Sequence, residues 1–118
     1  MNAPAPVLVL IGADPRHSHR ANEAMRIGLG IVAGENEVVL VLGGPAAHLL
    51  DADTDDLNDG DDIARYRASL KGLGIPFHIE EGARPPDPDW NAAGHPVIAV
   101  SPARLADLMR SSRRVLIF

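Results

Sequence analysis

Two runs built only from aliphatic side chains, Val7-Leu8-Val9-Leu10-Ile11 and Val38-Val39-Leu40-Val41-Leu42, each stop at a glycine. A strand with one wet face alternates apolar and polar residues, so uninterrupted runs describe strands covered on both faces, as in a parallel sheet. Between them Ala21, Ala24, Met25, Gly28, Leu29 and Val32 recur at spacings of three and four. That spacing predicts a helix from Ser18 to about Val32, with Glu23 and Arg26 facing outward and Gly34 as its stop.

The same alternation continues along the chain. Gly43-Gly44-Pro45 breaks the second strand, and Ala46 to Leu50 offers one helical turn. Ile63, Tyr66, Leu70 and Leu73 trace another helical face, with Asp61 and Asp62 as cap and first-turn acids and Gly72 and Gly74 at its end. Ile75 to Ile79 reads as a third strand, and residues 80–95 read as a loop because of Pro85, Pro86, Pro88, Gly82 and Gly94. Val97 to Val100 is a fourth strand. Ser101-Pro102 starts a last helix whose inner face carries Leu105, Leu108 and Met109, and Val115 to Phe118 is a fifth strand. Strand and helix in turn specify an α/β fold in three layers: a five-stranded, mostly parallel sheet with helices on both faces. We expect a single domain over residues 1–118, with residues 1–6 as a disordered lead and residues 51–62 as an acidic, mobile loop.

A chain of 118 residues can bury one core without covalent staples, and this one contains no cysteine. Composition alone therefore excludes thiolate nucleophiles, persulfide carriage, disulfides and Cys-ligated zinc or iron–sulfur clusters. The N-terminus lacks the basic region of a signal peptide, and the first apolar run is too short to span a membrane, so a cytoplasmic protein is expected. The net charge of −5 is local. Seven of the sixteen acids lie between Asp51 and Asp62, and the other nine face eleven bases. With four aromatic residues and no basic stripe, nucleic acid is not an expected partner, nor is a membrane.

Val7 to Ile11 followed by Arg20 to Ala33, then Glu37 to Leu42, then Leu70-Lys71-Gly72-Leu73-Gly74-Ile75-Pro76, and the closing helix and strand from Leu105 to Phe118 together resemble the DsrE-like family of sulfur-relay proteins. The resemblance is one of pattern over nearly the whole chain. It implies the α/β fold above and a homo-oligomer, trimer or hexamer, or a hetero-oligomer with a related subunit. It also implies a persulfide-carrying cysteine just after the third strand. Here that place holds Glu80 and Glu81, and a carboxylate cannot carry sulfane sulfur. The family includes subunits without an active cysteine that sit beside an active one.

Independently of that resemblance, the turn after the first strand offers Gly12, Asp14, Arg16, His17, His19 and Arg20 at the carboxyl edge of the sheet, ahead of a helix N-terminus. Asp14, His17 and His19 have the donor types for a metal ion or, with the arginines, an anion. They equally suit a cap (Asp14, Ser18) with solvated histidines. Gly43, Gly44 and His48 fall on the same edge, where the glycines either admit a ligand or make the turn. Gly28 and Gly30 lie inside a helix, so they are read as close packing and not as a dinucleotide loop. The aspartate loop fails the EF-hand register, with Leu57 at the third ligand position and Tyr66 at the twelfth when Gly60 is the sixth. Receiver-domain and serine-hydrolase readings fail for lack of their acids and elbow, since Ser101 before Pro102 is a helix cap. Trp90 is either a lid on the core or an interface anchor. Two functions stand against each other. One is a non-catalytic DsrE-like oligomer subunit; the other is a small-ligand or metal binder using Asp14, His17, His19 and His48. No resident metal or cofactor is assigned.

Overall fold

The computed structural model describes residues 4–118. Its elements are β1 (Val7–Ile11), α1 (Arg20–Ala33), β2 (Val38–Leu42), a 3-10 helix (Gly44–Leu50), α2 (Gly60–Gly72), β3 (Phe77–Glu80), β4 (Val97–Val100), α3 (Pro102–Ser111) and β5 (Arg114–Ile117). All five strands are parallel, in the order β4-β3-β2-β1-β5. The expected five-stranded α/β sheet with helices on both faces is the observed one. The disordered lead was expected over residues 1–6; residues 1–3 lie outside the described residues, and the Pro6 carbonyl accepts a bond from the Arg113 N–H (2.8 Å).

Alternation along each strand divides the interior in two. Val9, Ile11, Leu40, Leu42, Phe77 and Ile79 point to one face, where Ala21, Ala24 and Met25 of α1, Leu49 and Leu50 of the 3-10 helix, and Ile63 and Leu70 of α2 close over them. Leu8, Val39, Val41 and Val100 point to the other, which α3 covers alone with Leu105, Leu108 and Met109. No residue of α3 is fully buried. The two faces are therefore unequal: one is a filled core, the other a thin layer under one ten-residue helix.

Local departures from the sequence reading have local causes. β3 starts at Phe77 and not Ile75, because Ile75 still belongs to the end of α2. Its N–H bonds to the Leu70 carbonyl (3.0 Å), and the Gly74 N–H bonds to Lys71 (3.0 Å), with Gly74 left-handed at φ +72°. This is a Schellman ending, which only glycine adopts without strain. Gly28 does mark close packing, since an added Cβ would lie 3.0 Å from Leu40, whereas one at Gly30 would meet nothing within 4 Å. The acidic loop is not merely solvated: Leu57 is buried in the core, and the Asn58 N–H donates to the Pro15 carbonyl (2.7 Å). Among the described residues no helix is long and apolar enough to cross a membrane.

Candidate functional site

The carboxyl ends of all five strands lie on one edge, so the candidate turns after β1 and β2 are both on that edge. The structure nevertheless pairs their side chains with different partners. Gly12 donates its N–H to the Phe118 carbonyl (2.8 Å), tying the first turn to the end of the chain. Asp14 does not cap α1. It accepts the Arg16 backbone N–H (2.9 Å) and both Nε and Nη2 of that guanidinium (3.0 and 2.9 Å). The guanidinium bonds hold its carboxyl below the usual range against a smaller opposing effect of burial. His17 stands 4.0 Å from Asp14, but His19 turns away to Asp59 of the acidic loop (2.7 Å). Ser18 Oγ accepts the Arg20 N–H (3.1 Å).

The second turn is likewise occupied with its own structure. Gly44, left-handed at φ +52°, and Pro45 launch the 3-10 helix, and His48 Nδ1 pairs with Asp51 (3.0 Å). Beneath it Arg67 is buried with its Nη1 donating to the Leu49 and Asp51 carbonyls (3.1 and 2.7 Å), a clamp on the end of that helix. Burial holds Arg67 below its usual pKa. Among the described residues no group of three or more His, Cys, Asp or Glu side chains is placed to hold a metal ion. An open concavity of about 410 Å³ lies over Thr54, Asp55 and Asp59 to Asp62. One of its carboxylates, Asp59, is already paired with His19.

Trp90 is settled by its surroundings. It is 5% exposed, its indole N–H donates to the Ala47 carbonyl (2.8 Å), and the Arg84 guanidinium lies 5.2 Å above its ring. It packs as the lid on the domain's own core, which leaves little of the ring exposed for an interface role.

A cleft of about 270 Å³ remains, lined by Glu80, Glu81, Val100, Pro102, Leu105, Ala106 and Met109. Its place follows from topology. The chain leaving β3 passes over the α1/α2 face, where Ala83 and Trp90 pack, while the chain leaving β4 turns at once into α3 on the opposite face. Adjacent strands whose continuations part to opposite faces leave a crevice at their carboxyl ends, the place where open α/β sheets bind ligands. Ser101 caps α3 by accepting the Arg104 N–H (3.1 Å), with Pro102 as the first helical residue, as the sequence predicts. Glu80 lies against the backbone of Gly43, the residue just after neighbouring β2, where a Cβ would come 2.9 Å from its Oε2. Gly43 therefore makes room for a carboxylate, beyond making a turn. The wall of the cleft is aliphatic and its rim is acidic, with no thiol.

Two histidines that sequence reasoning passed over are buried. His95 is 6% exposed with neither ring nitrogen partnered, its ring edge-on to Phe77 at 6.1 Å between centroids. Burial, then Arg67 and Lys71, hold its pKa below the ordinary value. His78 is half-buried on the α3 face with Nδ1 unpartnered, and burial depresses it too. The period-two alternation of Phe77-His78-Ile79-Glu80 was the available signal for His78; nothing local signals His95, which is buried by a loop folding back onto α2.

No protein-family model matches the chain, and no curated protein matches it. Among solved structures, the crystal structure of the ychN protein from E. coli superimposes with a TM-score of 0.73 at 16% identity, covering 97% of this chain and 99% of that one. End-to-end agreement at that level carries the architecture, and the chain therefore has a DsrE-like fold.

Proposed function

We propose that this protein is a non-catalytic DsrE-like subunit, one that assembles with copies of itself or a related chain and carries no persulfide of its own. The observation that carries the reading is the switch-point cleft: the fold is kept end to end, yet the position expected to hold the transferring thiol holds Glu80 and Glu81. Carboxylate oxygens neither attack nor retain sulfane sulfur, so a sulfur-handling role would belong to a companion chain. The sparse cover on the α3 face supports assembly. Ile98 and Ile117, both on that face, are 47% and 64% exposed, and such surface is stabilised when a neighbour covers it.

The alternative, a metal or small-ligand site built from Asp14, His17, His19 and His48, has less support, because Asp14, His19 and His48 are paired with Arg16, Asp59 and Asp51, which leaves only the exposed His17 beside Asp14. Multi-angle light scattering over a hundredfold range of concentration tests the subunit reading. The expected result is a mass that is a whole multiple of the monomer's; a clean monomer throughout overturns it.

A further inference from the structure

Among the described residues the sheet ends in two unpaired edges, β4 and β5, and they differ in chemistry. Long or exposed apolar edges are normally blunted by charge, proline or a covering loop, because their free N–H and C=O groups are templates for another strand. β5 carries Arg114 and is preceded by Arg113, so joining two such edges would gather guanidinium groups on one seam. β4, Val97-Ile98-Ala99-Val100, has no charged residue at all, and Ile98 and Ala99 are both exposed.

The register fixes which backbone groups of β4 are free. Phe77 donates its N–H to the Pro96 carbonyl (2.9 Å) and Glu81 donates to Val100 (3.0 Å), with Phe77 opposite Val97 and His78 opposite Ile98. Along a parallel ladder alternate residues turn both N–H and C=O to the same neighbour, so Ile98 and Val100 bond toward β3. Val97 and Ala99 turn theirs outward. Placed antiparallel beside its own image, with Ile98 facing Ile98, the strand sets Val97 of one copy against Ala99 of the other, and the reverse. These become hydrogen-bonded pairs in which every outward group finds a partner. Ile98 then forms the close, non-hydrogen-bonded pair on the axis, about 4.5 Å between Cα atoms.

We propose that β4 is the joint between two copies of this chain, paired antiparallel about a two-fold axis through Ile98. The inference rests on the subunit reading above and names the surface that reading leaves open. Self-pairing needs a patch complementary to itself, and a neutral edge whose free donors and acceptors are symmetric about one residue meets that condition. β4 is only four residues long and runs directly into α3 at Pro102, so the seam is confined to it, and a two-fold contact uses each edge once and closes as a discrete pair. A two-fold seam also requires an even assembly: a dimer or a hexamer contains it, and a simple trimer does not.

The absence of cysteine makes the test clean. An Ile98→Cys variant carries one thiol on the axis, within disulfide reach of its image. With diamide added as oxidant, two thiols give up two electrons and two protons to it as the S–S bond forms. The expected result is a covalent dimer on a non-reducing gel at least ten times faster than for Ile117→Cys, although Ile117 is the more exposed of the two (64% against 47%). Ile98→Lys, which sets two ammonium groups together, is expected to halve the mass seen by light scattering while circular dichroism is unchanged; should it fail to fold, the cysteine pair decides. Equal rates for the two cysteine variants, or an unaltered mass for a folded Ile98→Lys, overturn this joint and leave the subunit reading standing. A wild-type chain that is monomeric throughout overturns both.

Discussion

Replacing Trp90 tests whether its ring closes the core or serves an interface. Trp90→Phe keeps an aromatic ring beneath Arg84 but removes the indole N–H that bonds to the Ala47 carbonyl. That carbonyl belongs to the fully buried Ala47, where water does not replace the lost donor. A buried acceptor that loses its partner costs about 1–3 kcal/mol, and the cation–π contact, worth about 0.5–1 kcal/mol at a partly exposed site, is largely retained. The expected loss for Trp90→Phe is therefore about 1–3 kcal/mol. Trp90→Ala also empties the ring's volume and is expected to cost about 3–5 kcal/mol. Since Trp90 is the chain's one tryptophan, urea unfolding is followed by circular dichroism at fixed protein concentration. A Trp90→Phe variant within about 0.5 kcal/mol of wild type, but with an altered mass by light scattering, would refute the core-lid reading and restore the interface one.

Two further outcomes follow from the geometry. An added Cβ at Gly60 would overlap the backbone carbonyl oxygen of Thr54, whereas one at Gly43 meets only the mobile end of Glu80, 2.9 Å away. Gly60→Ala is expected to cost about 1–3 kcal/mol or more and Gly43→Ala less than about 1 kcal/mol, as measured by urea midpoints, and the reverse order would contradict the packing described. His95 has a folded pKa below its ordinary value of 6.5, so the unfolded chain takes up the proton first. Stability is then lost as pH falls from about 6.5 toward the lower folded pKa, and is regained as pH rises again. His95→Leu is expected to flatten that part of a melting-temperature profile against pH. A profile as steep as that of wild type would show that other groups set it.

The strands were legible where side chains alone define them. β1, β2 and β4 fall on the residues read from the sequence, because an unbroken aliphatic run bounded by glycine or proline needs no tertiary information to be recognised. β3 was displaced because Ile75 is apolar in either role, and only the bonds from Ile75 to Leu70 and Gly74 to Lys71 assign it to the helix end. The acidic loop misled for a related reason. Seven aspartates dominate its composition, yet Leu57 is buried in the core and Asn58 bonds to Pro15, and a single buried leucine leaves no periodic signal. At the candidate site the sequence located the turns and the Ser101-Pro102 cap. It had no means of telling that His19 would reach Asp59, forty residues on, and not His17 or Asp14.

By itself the sequence determined a cysteine-free α/β sheet of five strands and placed two carboxylates where its resemblance expects a thiol. The order β4-β3-β2-β1-β5 belongs to the tertiary structure, because neighbours in a parallel sheet are joined by long crossovers whose destinations depend on packing and not on local preference. From that order come the cleft between β3 and β4, the inward turn of Trp90 and the neutral edge at Ile98. Each depends on which elements meet in space, and no residue's own chemistry specifies its distant neighbour.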